Sequence, residues 1–524
     1  MAILLMLPQI LMMTGKHFVC AAIIENIQIN LALIATIMAT IFEMPKLGGH
    51  ALKFFKILHR KRIFYFLFFI ALIAIFSGCT LVKKEGALNQ QGYLVVYLNL
   101  ETTPSTPAID FTLEELWLED ESGTKAPLPL QQKDISTSSA ARQIVLARSK
   151  LRPEFYTKIG FKITRANLIK EGKTQPLELT GEGLIYIPVT LKIVSQKTAS
   201  LFLDWSPEAS IGPEDTFLPV MEERKGAVGL KKLLLYVSNS QDNYISVIDR
   251  GSHQVIDTIT VGDSPRGMAL SENGNYLYVA NYFSNTISVI DTVSSRLVDT
   301  IALNIGIGPT ELIIPSRTYT LYVTAKDSNA VIVIDTLTKN IIKKIDVGQG
   351  PIGLASDPNG QYVYVANSYS NNISVIDTRD NELINTIGAG GEPRYLCFYQ
   401  KYIVVSNSQS NNVNFIDRYS SKIMSTVFVQ SQPGNLIPGQ RGWVYVAGER
   451  SHDISFITPG LSIAPRNLPA GKHPAGMALD KDRKLLYVAN FMDNTISVLD
   501  LIREEEIKRI DVGDRPYDLV LVSD

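Results

Sequence analysis

Cysteine is scarce: Cys20, Cys79 and Cys397 are the three in 524 residues. That excludes a disulfide framework, so the fold must be held by its own core. Cys397, inside the apolar run Tyr395 to Phe398, reads as a small buried hydrophobe. Charge of one sign is also lacking, with 50 basic against 51 acidic side chains and a net of -1. No basic stripe stands out, which excludes nucleic acid as a partner. There is no Cys-x-x-Cys-His and no His-x-x-x-His, and His253, His452 and His473 stand isolated, so no haem, metal or other cofactor is expected. No Gly-x-Ser-x-Gly elbow and no phosphate-binding loop occurs, so no nucleophile is nominated. The repeat region has no window with an apolar stripe at helical period, which excludes a helical solenoid. What remains is a chain long enough for two or more folded units.

The first of these is preceded by a targeting segment. Basic residues from Lys46 to Arg62 run directly into the apolar stretch Ile63 to Phe76, the order of a signal peptide. The end of the stretch, Phe76 Ser77 Gly78 Cys79, resembles the lipobox of bacterial lipoproteins. The resemblance implies cleavage before Cys79, lipidation of its thiol and, with Thr80 rather than aspartate following, sorting to an outer membrane where one exists. The alternative is a membrane helix ending in a chance cysteine, for which this stretch is short. Residues 1–43 hold a second hydrophobic stretch, Ile29 to Phe42. It reads as a misassigned start upstream of Met44, or as an extra membrane segment. The signal is thus 44–78, followed by a tether over 79–91.

Over residues 92–205 the pattern changes to short β-branched and aromatic runs separated by turn residues: Tyr93 to Leu100, Phe111 to Leu118, Gln143 to Ala147, Tyr156 to Ile163, Leu184 to Ile193 and Ser200 to Leu203. This spacing predicts a small antiparallel β-sandwich. The runs Tyr156 to Ile163, Leu184 to Pro188 and Leu201 to Trp205 resemble a prealbumin-like or immunoglobulin-like domain of prokaryotic surface lipoproteins. Residues 206–232, with Pro207, Gly212, Pro213 and Pro219, read as a linker.

From 233 to 524 the chain repeats. The phrase Leu277 Tyr278 Val279 Ala280 Asn281 recurs with its last residue at 239, 281, 325, 367, 407, 448 and 490, a period of about 42. A second marker, Ile287 Ser288 Val289 Ile290 Asp291, recurs at Asp249, Asp335, Asp377, Asp417 and Asp500, with Thr458 once in its place. A third is a proline opening a short apolar run: Pro265, Pro309, Pro351, Pro393, Pro433, Pro474 and Pro516. Four strands per unit and seven units predict an all-β fold whose main part is a seven-bladed β-propeller. The chain enters at a second strand and ends on a first strand, so Pro516 to Leu521 is expected to pair with Leu234 to Asn239 and close the ring.

These three motifs in register resemble the YVTN family of propeller repeats. The resemblance implies surface-layer or surface-antigen proteins, with related propellers serving as enzyme domains. The repeated aspartates read as turn acceptors rather than catalytic acids. Departures from the repeat say more. Two residues after each marker proline stand Gly267, Glu311, Gly353, Tyr395, Asn435, Gly476 and Asp518. Glu311 and Asp518 are therefore channel candidates for a cation or polar ligand. Loops on that face gather Arg266, Arg394, Lys472 and Arg515 with Tyr282, Phe283, Tyr369 and Phe491 as a binding face.

The first functional expectation is a monomeric, non-enzymatic protein, lipid-anchored in the cell envelope. Its rigid propeller face would bind an envelope protein or polysaccharide. The rival is an enzyme or enzyme partner: a lactonase-like hydrolase, or an accessory to a quinone or haem oxidoreductase. A convergent histidine, arginine and carboxylate cluster on one face would favour the rival.

Overall fold

The computed structural model describes residues 91–524 apart from 101–105, 139–142, 171, 225–232, 441, 460–464 and 524. The expectations for the leader 1–43, the signal 44–78 with its lipidated Cys79, and nearly all of the tether lie outside the described residues.

Seven four-stranded antiparallel sheets make up the propeller. In blade 2 the strands run outward from the axis as Pro265–Leu270, Tyr276–Asn281, Thr286–Asp291 and Arg296–Ala302. Blades 3 to 7 repeat this order, beginning at Pro309, Pro351, Pro393, Pro433 and Pro474. Blade 1 takes its inner strand from the end of the chain: Pro516–Ser523 pairs antiparallel with Leu233–Asn239. The inner strands touch one another in a closed ring, the strand from Pro516 lying against those of blades 2 and 7.

Strand periodicity builds the core. In the second strand of blade 2, Leu277 and Val279 face blade 1 and pack with Leu234, Tyr236, Ile245 and Val247. Tyr278 and Ala280 face blade 3 and pack with Leu321, Val323 and Ile332. After Tyr276 every side chain of this strand is thus buried on one face or the other, which is why the second strands read as apolar runs while the outer strands are largely exposed.

Two polar devices recur. The aspartate that ends the third strand of every blade but blade 6 accepts N–H bonds from the following turn, as Asp335 Oδ1 does from Leu337 and Thr338 at 2.8 Å; these bonds and Thr338 hold its carboxyl below the usual range. A turn asparagine with positive φ accepts from the backbone N–H that opens the next blade: Asn243 from Ser264, Asn285 from Gly308, Asn329 from Gly350, Asn371 from Glu392, Asn411 from Gln432 and Asn494 from Arg515. In blade 6, His452 takes this place and its Nδ1 accepts from His473 at 3.1 Å. His452 and His473 are therefore neighbours, not isolated residues.

Before the propeller, two sheets form a sandwich. The strand order in one is Val220–Glu223, Thr198–Ser206, Gly92–Leu100, Gln143–Leu151. The other is built around Ala108–Asp120 and Phe155–Lys170. The sheets are not wholly antiparallel, because Gly92–Leu100 and Thr198–Ser206 run parallel. Residues 206–224 also differ from the expected linker. Val220–Glu223 adds an edge strand and Phe217 enters the core, drawn in because burying a phenylalanine outweighs the turn-forming prolines around it. Leu94, Val96, Leu98, Leu201 and Leu203 point into the sandwich. The alternate side chains Val95, Tyr97, Val145 and Phe202 pack instead with Leu235 and Val237 of blade 1 and Tyr487, Val498 and Val512 of blade 7. This sheet is buried on both faces, one on its own domain and one on the propeller.

Candidate functional site

At the axis, large side chains are the exception. A β-carbon at Gly267 would lie 2.8 Å from Cα of Glu311, one at Gly353 would lie 2.8 Å from Cα of Tyr395, and one at Gly476 would lie 2.7 Å from Cα of Asp518. Glycine lets adjoining inner strands approach, so each glycine sits beside a blade that keeps a functional side chain. Around the ring the order is Asp518, Gly267, Glu311, Gly353, Tyr395, Asn435 and Gly476.

Glu311 and Asp518 thus flank blade 2 from either side. Asp518 Oδ2 accepts the Met268 N–H at 2.8 Å. Both carboxyls reach channel solvent but are ringed by protein. Burial raises Glu311 well above the usual range, the Asp518 charge adds to this, and the Arg266 guanidinium offsets part of it. Burial raises Asp518 to about 6 despite donation from the Leu519 and Met268 N–H groups. Burial and mutual repulsion therefore make the pair keep a proton to higher pH than free carboxyls do.

Tyr395 and Tyr517, from blades 5 and 1, join their hydroxyls across the channel at 2.9 Å. Burial pushes Tyr517 up to about 12, so both remain hydrogen-bond donors. Beside them Arg394 Nη1 meets Glu449 Oε2 at 2.6 Å, and His473 Nε2 lies 3.6 Å from the same oxygen. Burial opposes the charge on Arg394, but Glu449, Tyr395 and Tyr517 hold it protonated. Burial lowers the His473 pKa against the pull of Glu449, which leaves the imidazole neutral near pH 7.

The remaining loop residues surround this cluster. Arg266 lies 3.5 Å over the Tyr282 ring and 5.8 Å from that of Tyr517. Tyr282 donates to Asp327 at 2.8 Å and meets Phe283 edge-on. Tyr369 lies under Lys326, and Phe491 lies between Arg515 and His473. Lys472 pairs with Asp493 at 3.8 Å and points to solvent. The eight loop residues therefore divide: Arg266, with Tyr282 behind it, joins the channel carboxyls, Arg394 joins Glu449 and the two channel tyrosines, and Phe283, Tyr369, Phe491, Arg515 and Lys472 form the rim. Tyr517, Glu449 and His473 were missed from sequence. Looking for departures one residue after the marker proline finds Tyr517, and one residue after the asparagine of the second strand finds Glu449. Among the described residues no group of three or more potential ligands is placed to hold a metal ion.

Fold and site together define a seven-bladed propeller with a polar, partly protonated cluster at one mouth of its channel. The family described as "Lactonase, 7-bladed beta-propeller" matches residues 222–304, from the end of the sandwich through blade 2. No curated protein matches the chain. Among solved structures, the hydrazine synthase of Kuenenia stuttgartiensis is 22% identical over 48% of this chain and 88% of its own, with a TM-score of 0.45. A functionally unknown protein of Desulfotomaculum acetoxidans is 16% identical over 55% and 98%, with a TM-score of 0.49. A Bacteroides fragilis protein assigned, without confirmation, as a 6-phosphogluconolactonase is 15% identical over 57% and 100%, with a TM-score of 0.48.

Proposed function

We propose that the channel mouth is a hydrolytic site acting on a lactone, carried by an enzyme lipid-anchored in the cell envelope. The observation that carries this reading is the Glu311 and Asp518 pair flanking the inner strand of blade 2, both carboxyls raised by burial, beside the Arg266 guanidinium. It supplies a base, an acid and a fixed positive charge in one place. The lactonase match over the entry blades supports the same class. The enzyme reading moves ahead of the non-enzymatic scaffold because histidine, arginine and carboxylates converge on one face.

In the proposed reaction the Asp518 carboxylate takes a proton from water as the oxygen adds to the ring carbonyl carbon. Arg266 stabilises the oxyanion. As that intermediate collapses, the ring C–O bond breaks and Glu311 passes its proton to the leaving alkoxide, giving the open hydroxy acid. The Arg394, Glu449 and His473 group holds the opposite wall in place.

The test is titrimetric. Full-length protein is assayed against sugar-acid δ-lactones and simple aliphatic lactones, alongside Glu311→Gln and Asp518→Asn. Loss of a positioned acid or base is expected to lower kcat by about a hundredfold or more. Absence of hydrolysis above background, or parent-level rates in both variants, would reject the reading.

A further inference from the structure

A cavity of about 870 Å³ opens beside the channel mouth, where the sandwich meets the loops of blades 1 and 2. Its size falls in the range of roughly 300–1,000 Å³ that small ligands fill, and domain junctions are common places for such sites. Nothing described above uses it.

Its chemistry is specific. Three aromatic residues line it, of which Tyr244 is buried and the other two stand in its walls. Tyr93, from the sandwich, has the Lys150 ammonium 5.3 Å over its ring, and Phe283, from blade 2, is 70% exposed. Between them the polar groups are already fixed. Asn243 Nδ2 donates to Asp263 Oδ1 at 2.9 Å while its Oδ1 accepts from Ser264 at 3.0 Å. Arg148 is engaged by Asp242 at 3.5 Å and by the Val512 carbonyl, and Asp242 also accepts the Asp514 N–H at 2.6 Å. The lining cations Arg148 and Lys150 are outnumbered by the carboxylates of Asp242, Asp263 and Asp514, so no surplus positive charge awaits an anion. The exposed Phe283 ring combined with rigid amide and carboxylate groups suits a ligand that is uncharged, rich in hydroxyls and flat on one side.

We infer that this groove binds a neutral oligosaccharide. The groove also leads to the channel. Phe283 packs edge-on against Tyr282 at 5.2 Å, and Tyr282 carries Arg266 at 3.5 Å. A saccharide chain lying in the groove would point one end at the Glu311 and Asp518 pair. The binding inference stands without the hydrolytic reading; if both hold, the substrate is carbohydrate-derived.

Calorimetric titration of the full-length protein with cellopentaose, maltopentaose, laminaripentaose and chitopentaose tests it, with pentagalacturonate as the charged probe. At least one neutral pentasaccharide is expected to bind, and Phe283→Ala or Tyr93→Ala to weaken it by about tenfold, a change of about 1.4 kcal/mol. Tyr419→Ala, which removes an exposed ring outside the groove, is expected to bind as the parent does, and binding heat is read without turnover, which separates this outcome from any result on hydrolysis. Phe283 is exposed, so its variant should keep the parent Tm. No neutral binding, binding by the charged probe alone, or binding unaffected by Phe283→Ala would overturn the inference.

Discussion

Gly267 leaves no room for a side chain beside Glu311: a β-carbon there would lie 2.3 Å from Oε2 and 2.8 Å from Cα. The carboxylate tip could swing away, but the backbone atom belongs to an inner strand fixed by its neighbours. Gly267→Ala is therefore expected to push blade 3 outward and to lower Tm through overpacking, by about 1–3 kcal/mol. Gly353→Ala meets Tyr395 in the same way and should cost a similar amount. Comparing the two isolates the catalytic effect, because only the first displaces Glu311. Equal activity in both would remove Glu311 from the proposed chemistry.

The carboxyl pair makes stability depend on pH in a definite direction. Both groups have folded-state pKa values raised by burial, so the folded protein keeps protons that the unfolded chain has already lost. Their contribution is intact below the unfolded carboxyl pKa of about 4 and is lost as pH rises through the folded values. The parent Tm should fall on going from about pH 5 to 8. Glu311→Gln, which cannot ionise, should flatten much of that fall. A steeper decline in the variant would contradict the assignment of the shared proton.

The repeat phase made much of this legible. Seven blades, the closing strand and the axial positions of Glu311 and Asp518 all follow from counting three markers, because a propeller spends the same residues on the same job in every blade. What sequence did not show were relations between repeats that are distant in the chain. Arg394 meets Glu449 from the next blade, and Tyr395 meets Tyr517 across the axis. Glu449 departs from the repeat at its own position, but its partner Arg394 lies 55 residues away and only the ring brings the two together. Likewise Val95, Tyr97, Val145 and Phe202 read as one apolar set with their neighbours until the propeller supplied a second surface to bury them. The edge strand Val220–Glu223 was hidden by the prolines and glycine around it.

A buried ion pair braces the ring closure. Arg250 Nη1 lies 2.7 Å from Asp480 Oδ2, with both side chains 4% exposed, and Arg250 Nη2 donates to the Val522 carbonyl of the closing strand at 3.0 Å. Arg250→Met strands the Asp480 charge and should cost about 3–5 kcal/mol. The double variant Arg250→Met with Asp480→Leu should recover a large part of that loss. Truncation after Pro516 removes the closing strand itself and is expected to abolish cooperative unfolding, as read by circular dichroism.

His452 stands where six other blades use asparagine, and its Nδ1 accepts the His473 N–H. An asparagine oxygen can accept the same bond. His452→Asn restores the amide that the other blades use and should leave Tm unchanged at neutral pH. A loss of stability at neutral pH would mean that the imidazole does something the amide cannot.

The sandwich and the propeller should unfold together. Gln143 Nε2 donates to the Val255 carbonyl at 2.9 Å and its Oε1 accepts the Val255 N–H at 2.8 Å, so a sandwich side chain pairs with blade 1 as a strand would. The same amide donates to Asn99, which donates to Asp204, which pairs with Arg224. Around this chain Tyr97 and Phe202 stack at 5.0 Å against the apolar faces of blades 1 and 7. Separating the domains would expose that surface and leave both Val255 groups without partners. Calorimetry should therefore show one transition rather than two. Gln143→Leu leaves a buried donor and acceptor unpaired, at about 1–3 kcal/mol for each, and is expected to lower the Tm of that single transition. Two resolved transitions in the parent protein would show that the domains are only tethered, and would remove the rigid wall that the saccharide groove needs.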